Sequence, residues 1–313
     1  MNIQEVQWQV IANPNALTAK RKMLEKTILQ DLQAHGIDYR LHVADGIGHG
    51  MELACQLCQV GHRHLIAVGG DGTVNEVVNG IYQSGVPADE VFMAIIPLGT
   101  GNDFCRTLGY PGAADFRMFL QRGSFLPTDV GMVETVVGGA ATARRRFINI
   151  AGFAFDAAVI RETTKGKPKL FPSAVYLLKL VKVLFSYRAT PVTIVTADGE
   201  MTDEIFTMAV GNAQYNGNGM RQVPMADPHD RMLDIVAIRK IRPMKVIANV
   251  KRLFSGEHLR LPEARVLHGD RVEIRSKEPV PGEVEGEMLS AGNYRITLES
   301  KQLNLLQKGE STH

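Results

Sequence analysis

Two glycine-rich turns, GGDGT at 69–73 and LGTGND at 98–103, and the alternating glutamates Glu283, Glu285 and Glu287 are the parts of this chain best suited to chemistry. Glycines let backbone amides approach an anion closely, and a helix N-terminus adds unpaired N–H groups and a favourable dipole. In AVGGDGTVNEVVNG (67–80) an apolar strand at 65–68 feeds the turn. Val74, Val77, Val78 and Ile81 then recur at helical spacing, and Thr73 with Glu76 three residues on makes a capping-box pattern. The chemistry expected is a phosphate cradle, although a strand-to-helix turn without a ligand would use the same glycines. No Lys-Ser/Thr follows the glycines, so this is not a Walker A loop, and it does not match G-x-G-x-x-G.

In the second turn Thr100 and Asn102 can cap a helix or bind phosphate oxygens, and Asp103 sets a carboxylate beside the glycines, as Asp71 does in the first. A third strand end, VIANPN at 10–15, contributes Asn13. Ligands of open parallel sheets bind beyond the carboxyl ends of the strands, which is where all three loops fall. In a regular strand Glu283, Glu285 and Glu287 share a face, and crowded carboxylates raise one another's pKa, as suits a proton acceptor. A solvated acidic edge strand is the plainer reading of the same run.

The elements that must position these groups divide in two. Over 1–128, strands at 8–12, 39–43, 65–68 and 91–96 alternate with helices at 16–34, 50–60, 74–82 and 103–108, which implies an α/β domain with an open, mostly parallel sheet. From 129 to 300 strand-like runs separated by Gly, Asn, Asp and Pro predict an all-β, sandwich-like domain, and 301–313 is a tail expected to pack back on the first domain. The segment 167–188, with Lys167, Lys169, Lys179, Lys182 and Arg188 spaced through apolar residues, reads as a helix on the β domain or on an anionic membrane.

A formal charge of +2 gives no global field toward nucleic acid. Three cysteines do not make a disulfide framework; Cys55 and Cys58 read as helical. Neither a signal peptide nor an apolar run of spanning length is present, so a cytoplasmic protein is expected. His62 and His64 lack a third metal ligand, Arg144-Arg145-Arg146 after a Gly-Gly turn reads as a hairpin tip, and no G-x-S-x-G elbow is found.

GGDGTVNEVVNG and PLGTGNDFCRTLG, in this order and spacing, closely resemble the diacylglycerol kinase catalytic-domain family, which includes bacterial soluble lipid kinases and the sphingosine and ceramide kinases. GGDGT is also similar to the NAD kinases, which share the fold. FINIAGFAFDAAV (147–159), AVGNAQYNGNG with ADPHDRMLDI (209–235) and VPGEVEGEML (280–289) extend the resemblance over most of the chain. It implies an ATP- and Mg²⁺-dependent lipid kinase acting on the hydroxyl of diacylglycerol or a related lipid, peripheral to the inner membrane surface, with no nucleic-acid partner and with a homodimer admissible. Asn13, Gly70, Asp71, Gly72, Thr73, Asn75, Glu76, Thr100, Asn102 and Asp103 fall on nucleotide-site positions. Asp71, Asp103 and Asp129 match an acidic cluster near the phosphates, with Asp71 acting through Mg²⁺ and water. Glu287 is the implied proton acceptor, with Glu285 next. A structural Mg²⁺ would take the Asp230 side chain and the carbonyls of Asp227 and Met232.

The sequence departs from the family pattern in places. Asp-Gly-Glu is Glu285-Gly286-Glu287, Asp-Gly is Asp230-Arg231, Ser-Gly is Asn15-Ala16, and a threonine is replaced by Ala44. A positive φ at Arg231 would be strained. An NAD kinase-like enzyme for a soluble substrate and a non-catalytic lipid- or nucleotide-binding regulator are the alternatives.

Overall fold

The computed structural model describes residues 4–13, 29–110, 112, 116, 123–164 and 173–308. The predicted helix at 16–34 is seen only from 29 onward; Asn15, Ala16, Lys167, Lys169 and the last five residues lie outside the described residues. The chain divides into two compact units. One is Met1–Val130 with Gly217–Gly219 and Glu299–His313; the other is Gly131–Asn216 with Met220–Leu298.

The first unit is built on a six-stranded sheet. Its strands in chain order are β1 (Gln7–Ala12), β2 (Asp38–Val43), β3 (His64–Gly69), β4 (Phe92–Pro97), β5 (Gly123–Thr128) and, from the far end of the chain, β17 (Leu303–Lys308). The spatial order is β2-β1-β3-β4-β17-β5, parallel throughout except that β5 runs against β17. Among the described residues it is accompanied by the α-helices α1 (Leu29–Ala34), α2 (His49–Gln59), α3 (Asp71–Gln83) and α4 (Asp103–Thr107). β3 and β4 are almost wholly buried and read as unbroken apolar runs, as strands covered on both faces do. Helices α2 and α3 meet at Gly80, where any Cβ would lie 2.2 Å from the Met51 carbonyl oxygen.

The second unit carries an eleven-stranded antiparallel sheet. β6 (Gly131–Val137) and β7 (Ala140–Phe147) form a hairpin, followed by β8 (Ile150–Ala154), α5 (Phe155–Thr164) and α6 (Ser173–Ser186). Then come β9 (Thr190–Thr196), β10 (Gly199–Gly211), β11 (Leu233–Arg239), α7 (Pro243–Asn249) and α8 (Arg252–Ser255). The unit ends with β12 (Ala264–Gly269), β13 (Arg271–Arg275), β14 (Gly282–Val284), β15 (Glu287–Met288) and β16 (Asn293–Leu298). Phe153 of β8 and Tyr294 of β16 sit 4.8 Å apart between ring centroids, although three strands separate β8 from β16 in the sheet. The sheet therefore folds back on itself around one apolar core, which gives the sandwich-like arrangement. On its outer side Phe155 and Val159 of α5 and Val183 and Leu184 of α6 close a second core over β8, β10 and β11. Thus α6, within the predicted basic segment, packs on the β unit through part of its surface, with Phe185 and Lys182 exposed.

Two local expectations are corrected. The Gly-Gly turn lies at 138–139, but Arg144, Arg145 and Arg146 stand within β7, where Arg144 pairs with Glu134 and Arg145 with Glu287. The glutamates also share no strand face. Glu283 is on β14, Glu285 and Gly286 form the two-residue turn with φ of 53° and 81°, and Glu287 starts β15 opposite Val284. Two successive positive φ values are the type I′ signature, which favours Asn-Gly and Asp-Gly. That preference accounts for the family's Asp-Gly and makes Glu285 a strained substitute.

Candidate active site

Strand register brings the three loops of the first unit to one sheet edge. Ala12 pairs with Val68, and Gly69 with Pro97, so β1, β3 and β4 end side by side. The Asn13 N–H donates to the Val68 carbonyl at 3.3 Å, and the Leu98 N–H to the Gly69 carbonyl at 2.8 Å. Beyond these bonds the turns touch backbone to backbone: a Cβ on Gly99 would lie 2.5 Å from the Gly70 Cα. Nothing but glycine fits at that crossing.

Helix α3 begins at Asp71, three residues before the predicted start at Val74, and its N-cap Gly70 has no side chain to satisfy the first turn. The Gly70 carbonyl accepts the Thr73 and Val74 N–H groups, which closes the turn. Gly72 is exposed, with open space where a Cβ would stand. A glycine-lined helix end of this kind, thirteen residues long, fits a phosphate group. Thr73 is buried against Gly69, Asn75 is buried and accepts the Asn79 amide at 2.9 Å, and Thr100 is exposed on the second loop.

The predicted capping box does not form. Instead the Glu76 carboxylate accepts the Gly48 N–H at 2.8 Å and the Gly50 N–H at 3.1 Å, so it caps the start of α2. Helix α2 lies within reach of the same turn of α3, and this tertiary partner outcompetes the local one.

The carboxylates hold the loops together. Asp71 Oδ1 accepts the Phe104 N–H at 3.1 Å, tying the first loop to the N-terminus of α4. Asp103, buried, accepts the Asn218 N–H on Oδ2 and the Gly219 N–H on Oδ1, each at 2.7 Å. Burial raises the Asp103 pKa and the nearby Asp71 charge adds to it, while the two amides pull it down. Asn102 precedes α4 in a left-handed conformation, φ 52°, and its amide donates to the Gly99 carbonyl at 3.2 Å. Over Gly101 a Cβ would be 3.2 Å from Asp71 Oδ2, 3.5 Å from Asp103 Oδ2 and 3.6 Å from Asn218 Oδ1. Three oxygens therefore border one position, two of them from carboxylates, and hard oxygen donors are the kind Mg²⁺ takes. Asp129, fully buried after β5, accepts the Gln302 side-chain amide at 3.0 Å.

In the second unit Glu285 Oε1 accepts the N–H groups of Ile148 and Asn149 at 3.0 and 2.7 Å, which offsets its turn strain. Glu287 is exposed and ion-paired with Arg145. Glu283 is buried and its carboxyl is pushed up to about 8 by burial, with the Asp156 charge adding to the shift against the Gly286 and Gly152 amides. In the 227–232 turn Asp230 Oδ1 accepts the Met232 N–H at 2.9 Å and Arg231 has φ 63°, the strained conformation. Asp227 accepts the His229 N–H at 3.1 Å. Among the described residues no cluster of three or more His, Cys, Asp or Glu side chains is arranged to hold a metal. One carboxylate with two carbonyls is a different donor set, and the exposed Asp230 leaves it room.

Asp156 and a cavity beside it were not anticipated. The cavity lies in the second unit between β10, β11 and helices α7 and α8; its walls include Phe206, Val236, Val246 and Leu253. Its polar members are Asp156, Thr207, Gln222, Asn249 and His258. Burial pushes Asp156 up to about 6, against hydrogen bonds from Thr207 and Gln222. His258 Nε2 lies 3.0 Å from the Gln222 carbonyl oxygen, and burial lowers its pKa. A lone carboxylate in the apolar run FINIAGFAFDAAV was the signal available in the sequence.

Known proteins share these features. The diacylglycerol kinase catalytic domain matches residues 7–133, and the YegS C-terminal NAD kinase beta sandwich-like domain matches 150–307. The chain therefore belongs to the diacylglycerol kinase catalytic-domain family of lipid kinases, in its YegS-type, two-domain form. A diacylglycerol kinase of Bacillus subtilis is 28% identical over 289 residues, covering 89% of each chain. A Pseudomonas putida protein described as a "Probable lipid kinase YegS-like" is 26% identical over 295 residues, covering 92% of each. The crystal structure of a diacylglycerol kinase from Bacillus anthracis superposes with a TM-score of 0.67 at 20% identity, covering 96% of each chain, which speaks for the fold.

Proposed function

We propose that this chain transfers the terminal phosphoryl group of ATP to the hydroxyl of diacylglycerol or a related lipid at a membrane surface. The observation that carries the reading is the apolar cavity of the second unit with its few polar groups at Asp156, Thr207, Gln222, Asn249 and His258. Acyl chain matches such walls, and a hydroxyl or ester finds its partners among the five polar side chains. A soluble nucleotide acceptor would leave most of those walls without a counterpart.

The α3 N-terminus and the flanking glycines receive phosphate oxygens on backbone N–H groups. Asn13 and Thr100 border the same edge, with Asn75 behind it. Asp71 and Asp103 fix the second loop and the 217–219 turn, and their oxygens face the space over Gly101. Mg²⁺, when bound there, supplies charge neutralisation on the phosphates. Asp129 would support this acidic set, and Asp230 with the Asp227 and Met232 carbonyls would hold a second, structural ion. Glu287 takes the hydroxyl proton; Glu285 is the less apt acceptor because two amides already occupy its Oε1.

The test is a panel of lipid alcohols, with NAD as the soluble comparison, offered with labelled ATP to the wild type, Glu287→Gln and Glu285→Gln. Label in a lipid, lost in Glu287→Gln, is the expected result. Label in NAD alone, or in nothing despite ATP binding, overturns it.

A further inference from the structure

Helices α7 and α8 present a surface that the fold leaves uncovered. Their inward residues Val246 and Leu253 line the apolar cavity. Their outward face is apolar too: Met244 is 65% exposed, Ile247 43% and Phe254 54%, while Val250, at 44%, stands at the cavity rim. Positions 244, 247, 251 and 254 follow one helical stripe, with Lys251 at the third place. An apolar stripe of this kind ordinarily faces an interior, yet this one lies at the surface.

The charge pattern selects the occupant. From Arg239 to Gly256 the sequence has six basic residues and no acidic one. Arg239, Lys240 and Lys245 are paired with Asp203, Glu204 and Glu263. Among the described residues no carboxylate is ion-paired with Arg242, Lys251 or Arg252, and all three are exposed beside the apolar stripe. Apolar side chains flanked by uncompensated cations match a bilayer interface carrying anionic headgroups. A second copy of this chain in a two-fold contact would instead set the same cations against each other.

We infer that the α7–α8 ridge inserts Met244, Ile247 and Phe254 into the headgroup boundary of an anionic membrane, with Arg242, Lys251 and Arg252 on its phosphates. The same helices then wall the cavity on one side and meet the bilayer on the other, so an acceptor lipid has a short path inward. That last step rests on the lipid-acceptor reading; the docking itself does not.

Vesicle sedimentation without ATP tests it, using phosphatidylcholine vesicles with or without roughly one third phosphatidylglycerol. Wild type is expected to bind the anionic vesicles, and Ile247→Ser/Phe254→Ser to lose about tenfold or more of its partition coefficient. Lys251→Ser/Arg252→Ser should lose roughly fivefold per charge and flatten the salt dependence. Ile47→Ser/Val60→Ser, at exposed apolar positions elsewhere, should bind like wild type. Thermal melts of each variant separate lost docking from lost folding, and the charge pair remains informative if the apolar pair melts early. Undiminished binding by a folded apolar variant, no preference of wild type for anionic vesicles, or a solution dimer dissolved by Phe254→Ser would each overturn the inference. Phosphorylation of a short-chain acceptor in detergent micelles reads the kinase reaction separately. Its absence with vesicle binding intact sinks the catalytic reading and leaves the docking surface standing.

Discussion

Asp71 accepts the backbone N–H of Phe104, at 3.1 Å, across the gap between two glycine turns. A carboxylate inside a phosphate loop is costly if it faces the anion directly. Here one oxygen is spent on the N-terminus of α4, where negative charge is favoured, and the other turns toward Gly101. Asp71 is thus both the latch between the loops and a hard oxygen beside them. The two roles separate in Asp71→Asn, whose carbonyl oxygen still accepts from Phe104. That variant is expected to melt near the wild type and to lose on the order of a hundredfold or more in phosphoryl transfer. Melting curves and a labelled-ATP assay check it; full activity sinks the cation-bearing role.

Glu76 is expected to matter for stability before nucleotide binding. Glu76→Ala leaves the Gly48 and Gly50 amides without their acceptor. The loss is about 1–3 kcal/mol, read as a lower urea midpoint with an unchanged m-value.

At position 231 the strain can be relieved. Arg231 holds φ 63°, which costs an L-residue about 1–2 kcal/mol. Arg231→Gly removes that cost and adds about 0.5–1 kcal/mol of backbone entropy, so a net gain of a few tenths to about 1 kcal/mol is expected. If the 227–232 turn binds Mg²⁺, the same change should lower the Mg²⁺ concentration needed for thermal stabilisation.

The βα alternation and both glycine loops were legible because their cues are local: period, glycine, and strand ends at one edge. Thr73 with Glu76 looked like a cap because sequence spacing cannot reveal the Gly48 amide waiting nearby. The glutamate run looked like one strand face because alternation survives a two-residue turn; Glu285-Gly286 was the missed turn signal. β12, the α7–α8 pair and the cavity depend on pairings between distant positions, and nothing periodic announces them. β17 was expected only as a tail packing back, since six residues do not say which two strands they will join.

The buried carboxyls make stability fall with rising pH. Glu283 rises to about 8 and Asp156 to about 6, chiefly through burial, above their unfolded values. Between the unfolded and folded pKa values the native state binds more protons, so the benefit is complete at low pH and lost as pH climbs through about 6 and then about 8. While one group titrates between the states the slope is about 1.4 kcal/mol per pH unit. Denaturation from mildly acid to mildly basic pH should show the fall, and Glu283→Gln should flatten its upper part. A flat profile in the wild type would contradict the burial of these groups.

β17 lies between β4 and β5, so the sheet bearing the glycine loops is finished by a strand translated after the whole of β6–β16. Until it leaves the ribosome, the nascent N-terminal half shows the open edge of β4, a template for unwanted pairing. The other unit, nearly contiguous in the chain, can close while the first still waits. The earlier-made unit is therefore completed after the later one, and its solubility during synthesis depends on whatever shields that edge in the interval.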